Sequence, residues 1–535
     1  MRRRMNPLRK LGLVWVGLAV TAGSSVMAWA QDAKPETQIT PKQAQDLFRS
    51  VDTILHFDSR DTGYAIHHLV QPRLVTRAEV KDFLDKQLKD DKSAQRLQRS
   101  ELVLKKFGLL DRDFELEPFL VQLLREQIAG YYDEKTKTVN LLDWVDPETQ
   151  RPVLAHELTH ALQDQHVNLQ KWEEQEKDGT PKNVSQDNAA LAVDEDDTVR
   201  DAVVEGQAMV VFADYALRPQ GKTLLTDPDA ARAMEQAMGD TSGSPVMARA
   251  PLFLQESLIF PYQSGMRFIA TVLRFQGQHA AFVGTLDHPP TSTYEILHPQ
   301  SYMRHVAIPL LTLPDIHGLL GKEYKPYDVG VMGELDVRMM GDLFGGPHAG
   351  GELAKAWAGG LYYAAQSRNA KMDAEKGETA PLSLLYLSRW TTPQAAQRFA
   401  NLYAAELARK YDQATERAPQ DGADGASNDA RVHERVWDTS EGPVLIAVEG
   451  KTAFVSESFP LPLAHKLEFV MMGSVGGSAG NEVAATRPSS ADQPRGELSA
   501  PLRQMAVQFG LLRSAAAAMP ISQADRYTET GSAPQ

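Results

Sequence analysis

Three residues of the segment HELTH have the types and the spacing of a metal-dependent hydrolytic site. His156 and His160 are four residues apart, so on a helix they project from one face and can reach a single zinc ion. Glu157 lies about 100° around that helix from His156. From there it can act as general base toward a zinc-bound water, whose pKa the metal lowers to about 7. The pattern predicts one Zn²⁺ per chain, with Glu157 as the catalytic residue. A buried histidine pair satisfied by hydrogen bonds is the alternative.

Two residues compete for the position of third zinc ligand. His166 lies six residues after His160, but Gln163 stands where a glycine would be needed to turn the chain off the helix. His166 should therefore point away from the two ligand histidines. Glu205 lies in a second helix, predicted from about Thr198 to Leu217, and its own face of that helix is otherwise apolar. A carboxylate is costly there unless it is paired or bound to a metal, so Glu205 is the expected ligand, with a structural salt bridge as the alternative.

Several neighbours of these residues could support the site. Gly206, beside Glu205, would allow the two ligand-bearing helices to pack closely. Asp201 could hold a ligand histidine, although a solvated acid in the first helical turn is the simpler interpretation. The run Asp194–Asp197 is expected to be a solvated helix entry. The candidates for stabilising an oxyanion, each with a structural role as the alternative, are Tyr262, His298 and Tyr302.

Hydrophobic periodicity predicts the elements that carry these residues. Residues 41–126 show apolar positions three and four apart, which indicates amphipathic helices. Gly130–Tyr132 and Thr138–Leu142 flank the polar turn DEKTK in a hairpin pattern, and we expect the second strand at a sheet edge. Asp146-Pro147 then gives a helix-start signal before HELTH. Beyond about residue 310, strand patterns such as LYYAAQS and LSLLYLSRW alternate with helical ones, which predicts a small α/β domain without catalytic residues.

The first thirty residues have the pattern of a secretory signal peptide. The basic start MRRRMNPLRK precedes the apolar run LGLVWVGLAV, and Ala28-Trp29-Ala30 fits a cleavage site. An uncleaved N-terminal anchor is the alternative. We therefore expect an exported protein that is periplasmic or extracellular. The chain has no cysteine, which excludes disulfides and a lipoprotein anchor.

The charge balance limits the partners. The net charge of the chain is −14, and removal of residues 1–30, which hold five Arg or Lys and no acid, leaves −19. Such an acidic protein is a poor partner for nucleic acid or an anionic membrane surface. No later apolar run is long enough to cross a bilayer, so we expect no membrane span in the mature chain.

These motifs resemble the gluzincin branch of zinc peptidases, in which HExxH supplies two histidines and a Glu on a downstream helix supplies the third ligand. VEGQA is similar to the N-E-G-x-A element of the aminopeptidases, with Val204 in place of Asn. AGYYDEKTKTVNL, AHELTHALQDQH, VVEGQA and PPTSTYEILHPQSY together resemble a family of secreted bacterial and archaeal proteins regarded as metallopeptidases, over roughly residues 40–310. The resemblance implies zinc on His156, His160 and Glu205, with Glu157 catalytic, and implies no particular substrate.

The sequence thus predicts an α+β protein with a mainly helical zincin-like catalytic domain, a small edge hairpin and a smaller α/β C-terminal domain. The predicted divisions are a signal peptide (1–30), a helical N-terminal region (31–115), a zinc metallopeptidase domain (116–310), the α/β domain (311–472) and a flexible tail (473–535) with room for a helix. The helical N-terminal region could also be an inhibitory prosegment.

The expected function is zinc-dependent hydrolysis of peptide bonds in a peptide or protein substrate. A strand near Val139 to Leu142 would align an extended substrate by strand addition. The first alternative is an envelope binding or assembly module whose zinc site is structural or vestigial. The second is a metallohydrolase that acts on non-peptide amides such as cell-wall fragments. The sequence predicts no oligomeric state.

Overall fold

The computed structural model describes residues 38–81, 99, 101–127, 130–173, 181–239, 241, 244–306, 310–369, 378–418 and 432–476. The signal peptide expected at residues 1–30 lies outside the described residues, as does the expected tail (473–535) apart from its first four residues, which are helical. Helices and strands are both present, so the α+β composition expected from the sequence is confirmed. No helix in the described part of the chain combines the length and the apolar character needed to cross a membrane.

The helices are, in chain order, α1 (Pro41–Thr62), α2 (Leu116–Gln127), α3 (Pro147–Val167), α4 (Leu169–Glu173), α5 (Val184–Leu191), α6 (Asp196–Leu217), α7 (Pro228–Gly239), α8 (Leu252–Gln276), α9 (Thr285–Asp287), α10 (Thr293–Leu297), α11 (Pro299–Met303), α12 (His317–Leu320), α13 (Glu334–Gly345), α14 (Ala349–Ala354), α15 (Pro393–Lys410) and α16 (Leu461–Gly476). A π-helical turn at Ala280–Gly284 precedes α9. The strands are β1 (Gln71–Val75), β2 (Gly130–Asp133), β3 (Thr138–Leu142), β4 (Tyr324–Val331), β5 (Trp357–Ser367), β6 (Leu382–Trp390), β7 (Ala414–Glu416), β8 (Val432–Thr439), β9 (Gly442–Glu449) and β10 (Thr452–Glu457).

Helix α3 carries the HELTH segment and is fixed at both ends by local signals. Asp146 caps its N-terminus by accepting the backbone N–H groups of Glu148 and Thr149, and Pro147 occupies the first helical turn. Asn168 ends the helix in the left-handed conformation (φ 55°). Gln150 ties the helix to the preceding strand, because its side chain accepts from the backbone N–H of Leu142 and donates to the carbonyl of that residue.

Helix α6 lies in the interior of the helical part of the protein, packed between α3 and α8. Almost every residue from Thr198 to Asp214 is buried, whichever side of the helix it occupies. A helix that is apolar or paired all around is typical of a buried position. Two buried helices, α3 and α6, therefore carry the candidate metal ligands.

A three-stranded sheet in the order β1-β3-β2 lies beside α3. Strand β3 pairs in parallel with β1 and antiparallel with β2, so it is the central strand. The expectation that Val139 to Leu142 form an edge strand is therefore wrong, since β2 is the strand at the edge facing the site. The helical prediction for residues 41–126 also fails at Gln71–Val75, because pairing with β3 overrides the local pattern.

The C-terminal part is built on a seven-stranded antiparallel sheet in the order β4-β5-β6-β10-β9-β8-β7. Helix α15 packs on one face, and α16 packs on the other. The hydrophobic core under α15 is continuous with the core around α3, α6 and α8. The helical part and the α15 face of this sheet thus share one core, and the α16 face covers a second one.

The N-terminal region predicted as 31–115 contacts both parts of the protein. Helix α1 packs against α3. The segment 101–110 lies instead against the large sheet, where Phe107 makes edge contacts with Tyr362 and Tyr386. Lys106 forms a buried ion pair with Glu441 at 2.8 Å. This region is part of the shared core rather than a layer laid over it.

Candidate metal centre

The structure brings His156, His160 and Glu205 together in the protein interior. The His156 Nε2 atom lies 3.2 Å from the Glu205 Oε2 atom, and the His160 Nε2 atom lies 3.5 Å from the same oxygen. One ligand atom from each of the three residues lies within 4.8 Å of the others. The two imidazole rings are 4.6 Å apart between centroids and nearly perpendicular. The two Nε2 atoms therefore face the carboxylate that a helix 49 residues downstream supplies.

The separations of these atoms fit a shared cation. In a tetrahedral zinc site with bonds of about 2.1 Å, two ligand atoms lie about 3.4 Å apart. The two Nε2–Oε2 distances lie close to that value. Nitrogen and oxygen donors from two His and one Glu are a usual zinc set, and three protein ligands leave a fourth position for water or substrate. The residues present thus fit a zinc ion.

Glu157 lies next to the three candidate ligands and is fully buried. Its Oε2 atom accepts the backbone N–H of Tyr132, on strand β2, at 2.8 Å, whereas its Oε1 atom has no hydrogen-bond partner among the described residues. The phenol of Tyr132 donates to Asp164, two turns further along α3. Strand β2 thus fixes one oxygen of Glu157 and leaves the other available.

An amide network, which the sequence did not predict, orients His160. The Nδ1–H of His160 donates to the Oε1 atom of Gln163 at 2.8 Å, and the Nε2 atom of Gln163 donates to the Oε1 atom of Gln207 at 2.9 Å and to the Val204 carbonyl at 3.0 Å. With Nδ1 protonated, the neutral His160 ring keeps its Nε2 lone pair for a metal. The i, i+3 spacing of His160 and Gln163 is the signal in the sequence that could have revealed this contact.

Gln207 anchors this network to two other parts of the chain. Its Oε1 atom also accepts from the phenol of Tyr64 at 2.8 Å. Its Nε2 atom donates to the Phe282 carbonyl at 2.8 Å and to the Thr285 hydroxyl at 2.9 Å, at the π-helical turn. Every hydrogen of the two amides is used within the buried network, so the His160 ring has one favoured orientation.

The pKa values of the site residues are set by their burial and by the charge of the Glu205 carboxylate. Burial lowers the pKa of His156 to about 4 and raises the pKa of Glu157 to about 8. Burial also opposes the charged form of His160, but the Glu205 carboxylate outweighs it and raises the pKa of His160 to about 9. The pKa of Glu205 is lowered, because the two histidines outweigh its burial. Without a metal, His160 and Glu205 therefore form a buried ion pair.

Close contact between α6 and α8 places Tyr262 at the site. A Cβ atom on Gly206 would lie 2.3 Å from the backbone carbonyl carbon of Gly265, so these two helices touch backbone to backbone. The expectation that Gly206 serves the packing of the two ligand helices is thus wrong, because its partner is α8. The hydroxyl of Tyr262 is buried without a hydrogen bond of good geometry. Burial first, and then the nearby Glu205 carboxylate, raises the pKa of Tyr262 far above its usual range.

The other two oxyanion candidates are engaged elsewhere. His298 pairs with Glu334 at 2.8 Å, which raises the pKa of His298. The phenol of Tyr302 donates to the His288 carbonyl at 2.8 Å. Of the three candidates, only Tyr262 lies close enough to Glu205 and Glu157 for their charges to raise the pKa of its phenol.

His166, Asp201 and the acidic run at the start of α6 lie along α3 and α6 without joining the candidate metal centre. His166 is partly exposed at the end of α3, where it lies 3.3 Å from Asp287 and takes no part in the metal cluster. Asp201 is buried, one turn before Glu205, so it is not the solvated acid that the simpler interpretation gave. In the acidic run, Asp194 and Glu195 are buried rather than solvated, whereas Asp196 and Asp197 are partly exposed. Asp194 accepts the backbone N–H of Val331, and Glu195 accepts the backbone N–H of Thr293, so both acids pin the start of α6 to other elements.

A second group of metal-binding residue types lies on the surface of the C-terminal part. The His465 Nδ1 atom is 3.5 Å from an oxygen of Glu434 and 3.5 Å from an oxygen of Glu468. Two of the three side chains are exposed. This group can bind metal adventitiously in a purified sample and has to be controlled in any metal analysis.

Comparison of the chain with protein-family models, with curated proteins and with solved structures gave no match in any of the three.

Proposed function

We propose that the protein is a zinc-dependent hydrolase of the gluzincin type that cleaves peptide bonds. The observation that carries this proposal is the convergence of the His156 and His160 Nε2 atoms on the Glu205 carboxylate, with the unpartnered Oε1 atom of Glu157 beside them. The helical part, with ligands on α3 and α6 and a small sheet beside α3, is consistent with a zincin-like domain. Export of the chain, indicated by residues 1–30, belongs to the same proposal.

The chemistry divides between the ion and the side chains. Zinc, when bound by His156, His160 and Glu205, polarises a carbonyl and lowers the pKa of a water molecule to about 7. Glu157 takes a proton from the attacking water on Oε1, while the N–H of Tyr132 holds Oε2. Water oxygen bonds to the carbonyl carbon, the C–N bond breaks, and Glu157 returns the proton to the leaving amine.

Tyr262 is the side chain best placed to stabilise the negative charge that develops on the substrate carbonyl oxygen. Its hydroxyl is buried close to Glu205 and has no hydrogen-bond acceptor with good geometry among the described residues. Donation of this proton to the substrate oxygen, as negative charge develops there, would stabilise the transition state. An extended substrate would then lie along β2, the edge strand nearest Glu157, rather than along β3 as the sequence suggested.

The strongest support for the binding-module alternative is the burial of the site. His156 and Glu157 have no exposed surface, and His160 and Glu205 are 4% and 5% exposed. A substrate can enter only if neighbouring elements move apart. The ligand count favours the hydrolase, because no fourth His, Cys, Asp or Glu of the described residues joins the cluster, whereas structural zinc sites usually have four protein ligands. Hydrolysis of non-peptide amides uses the same chemistry, and only substrate profiling separates it from peptide hydrolysis.

The test is the Glu157→Gln variant on the zinc-loaded protein. Gln keeps an oxygen for the Tyr132 N–H but cannot accept a proton, so the variant should bind zinc normally and lose about 10²–10⁴-fold in peptide hydrolysis. A quenched-fluorescence peptide library gives the rate, and elemental analysis gives the zinc content. Hydrolysis by Glu157→Gln at the wild-type rate would refute the mechanism. An inactive wild type that holds its zinc and cleaves no peptide or amide would favour the binding module.

A further inference from the structure

Tyr132, on strand β2, is attached to helix α3 at two points. Its backbone N–H donates to the Glu157 Oε2 atom at 2.8 Å, and its phenol donates to the Asp164 Oδ2 atom at 2.8 Å. Glu157 and Asp164 are seven residues apart, so their side chains leave α3 within about 20° of each other and about 10.5 Å apart along the helix axis. One residue of the strand therefore connects two turns on the same face of α3.

The first of these contacts fixes the orientation of Glu157. Among the described residues, the N–H of Tyr132 is the one hydrogen-bond donor to the Glu157 carboxylate, because the Oε1 atom has none. Glu157 has no exposed surface, so its orientation depends on this N–H and on the packing around it. A displacement of β2 along α3 would therefore be passed on to the carboxylate.

Strand β2 needs an attachment of this kind. It has four residues and pairs with β3 on one side only. A short strand at the edge of a sheet has backbone hydrogen bonds along one side and is held weakly by them alone. The phenol of Tyr132 adds a buried link between this strand and the helix that carries Glu157.

Asp164 is a firm anchor for that link. Its side chain is 1% exposed, and a buried carboxylate is stable only with such partners. The Oδ2 atom accepts from the Tyr132 phenol and from the Lys137 ammonium, and the Oδ1 atom accepts from the backbone N–H of Leu169 at 3.1 Å. Both oxygens are thus fixed, one of them by two residues of the hairpin.

The backbone of Lys137 indicates that its ion pair with Asp164 matters. Lys137 has a φ of 55°, in the left-handed region that favours glycine. Its N–H closes the turn on the Asp133 carbonyl at 2.7 Å, and a glycine could do the same. A strained conformation persists where other contacts offset its cost. The contact that a glycine could not provide is the ion pair with Asp164.

We propose that Tyr132 is a positioning residue for Glu157, anchored by Asp164 and Lys137. The inference rests on the proposed function, in which Glu157 is the general base. The link between the phenol and Asp164 fixes β2 along α3, and so fixes the N–H that holds the Glu157 Oε2 atom. The Oε1 atom is then kept in one place to accept the proton, which is the kind of orientation on which proton transfer depends.

The experiment uses Tyr132→Phe in the zinc-loaded, full-length mature protein. This change removes the phenol hydroxyl and keeps the ring and the backbone N–H. We expect an unchanged zinc content, a fall in kcat on a quenched-fluorescence peptide of at least about 10-fold, and faster amide exchange at residue 132. The matched control is Tyr131→Phe, whose side chain points to the opposite face of β2. It should keep the wild-type kcat and the slow exchange at residue 132.

A second pair of variants tests the anchor without altering Tyr132. Lys137→Met removes the charge that Asp164 pairs with and should also lower kcat, whereas Lys137→Arg keeps a cation there and should stay closer to wild type. Both replacements keep a side chain at the left-handed position, so their backbone strain is matched. Equal kcat in Lys137→Met and Lys137→Arg would show that the ion pair does not anchor the strand.

The Glu157→Gln background separates positioning from general destabilisation. If Tyr132 acts through Glu157, Tyr132→Phe should change the residual rate of Glu157→Gln by less than about twofold, because the base is already lost. An equal loss in both backgrounds, or an unchanged kcat in Tyr132→Phe, would overturn the positioning role while the proposed function stands. A zinc-loaded wild type that cleaves no peptide or amide would instead refute the proposed function, and the positioning role with it.

Discussion

A neutral amide, rather than a carboxylate, orients His160, a candidate metal ligand. Gln163 accepts the Nδ1–H of His160, and its own amide hydrogens are fixed by Gln207 and by the Val204 carbonyl. A neutral acceptor fixes the tautomer of the ring but adds no negative charge to the site. Among these residues, only the carboxylates of Glu205 and Glu157 would supply negative charge around a bound Zn²⁺.

Replacement of Gln163 by Leu should therefore weaken zinc binding by about 10–100-fold, because outer-shell partners of a ligand histidine have effects of this size. Gln163→Glu keeps an acceptor for the Nδ1–H but sets an oxygen against the Gln207 Oε1 atom and the Val204 carbonyl, so it should restore the affinity only in part. Competition with a chromophoric chelator measures the affinity. Gln165→Leu is the control on the same helix, since in the described part of the chain the side chain of Gln165 hydrogen-bonds to the backbone of His67 and His68. Equal zinc affinity in Gln163→Leu and wild type would show that the amide does not position the ligand.

The sequence revealed the residues whose signal is local. The i, i+4 spacing of HELTH and the apolar neighbours of Glu205 are helix-periodic, and the structure brings these side chains together. A local pattern could not predict the contacts of Tyr132, Gln207 and Tyr64, because these contacts join elements that are far apart in the chain. A hydrogen bond between residues 64 and 207 leaves no periodic trace in either segment.

At the scale of elements, the contact between α6 and α8 sets the geometry of the site. Gly206 and Gly265 allow the two backbones to touch, which brings Tyr262 beside Glu205. The crossing has no room for a side chain, because a Cβ atom on Gly265 would lie 2.2 Å from the Ala202 carbonyl oxygen.

Gly206→Ala should force α8 away from α6, with a loss of about 1–3 kcal/mol or more in the free energy of unfolding and a loss of activity. Denaturant unfolding measures the first effect. Gly351→Ala is the matched helical control, because its Cβ would meet nothing within 4 Å and should be neutral or slightly stabilising. If Gly206→Ala is as stable as Gly351→Ala, the close crossing is not what holds α8 in place.

The positions of the strands also show where a local sequence pattern fails to predict secondary structure. The strands β5 and β6 lie where the sequence indicated, at LYYAAQS and LSLLYLSRW. Strand β1 was missed because its parallel pairing with β3 is a contact across more than sixty residues. The same pairing makes β3 central and leaves β2 at the edge.

At the scale of the molecule, the N-terminal region is part of the fold. Leu102, Val103, Leu104 and Phe107 are at most 1% exposed, and Lys106 pairs with Glu441 in the C-terminal part. A prosegment has to leave a stable protein behind when it is removed. Removal of this region would expose part of the apolar core. It would also leave the buried Glu441 carboxylate without its Lys106 partner.

Deletion of residues 31–115 should therefore give an insoluble or molten protein rather than an activated enzyme. Expression of the deletion, followed by near-UV circular dichroism and by zinc-dependent peptidase assay, tests this expectation. The matched control is deletion of residues 1–30 alone, which should fold. A soluble, more active protein that begins at residue 116 would establish the prosegment instead.

Two mostly buried aspartates, Asp61 of α1 and Asp214 of α6, predict how stability depends on pH. The pKa of Asp61 is raised to about 8 and that of Asp214 to about 6, both mainly by burial, whereas an unfolded Asp titrates near 3.9. A raised carboxylate pKa stabilises the fold at low pH, and this contribution disappears as pH rises through the folded pKa. The melting-temperature advantage of wild type over Asp61→Asn should therefore shrink between pH 5 and pH 8.5. A constant or growing advantage would contradict these shifts.

The central claim is that His156, His160 and Glu205 bind one zinc ion, and elemental analysis of the purified mature protein tests it most directly. His465→Ala should be the background, because it removes the surface group formed with Glu434 and Glu468. We predict about one zinc per chain in that background and a large loss when Glu205→Ala is added. A protein without zinc after reconstitution, or a full zinc content in the Glu205→Ala variant, would contradict the proposed site.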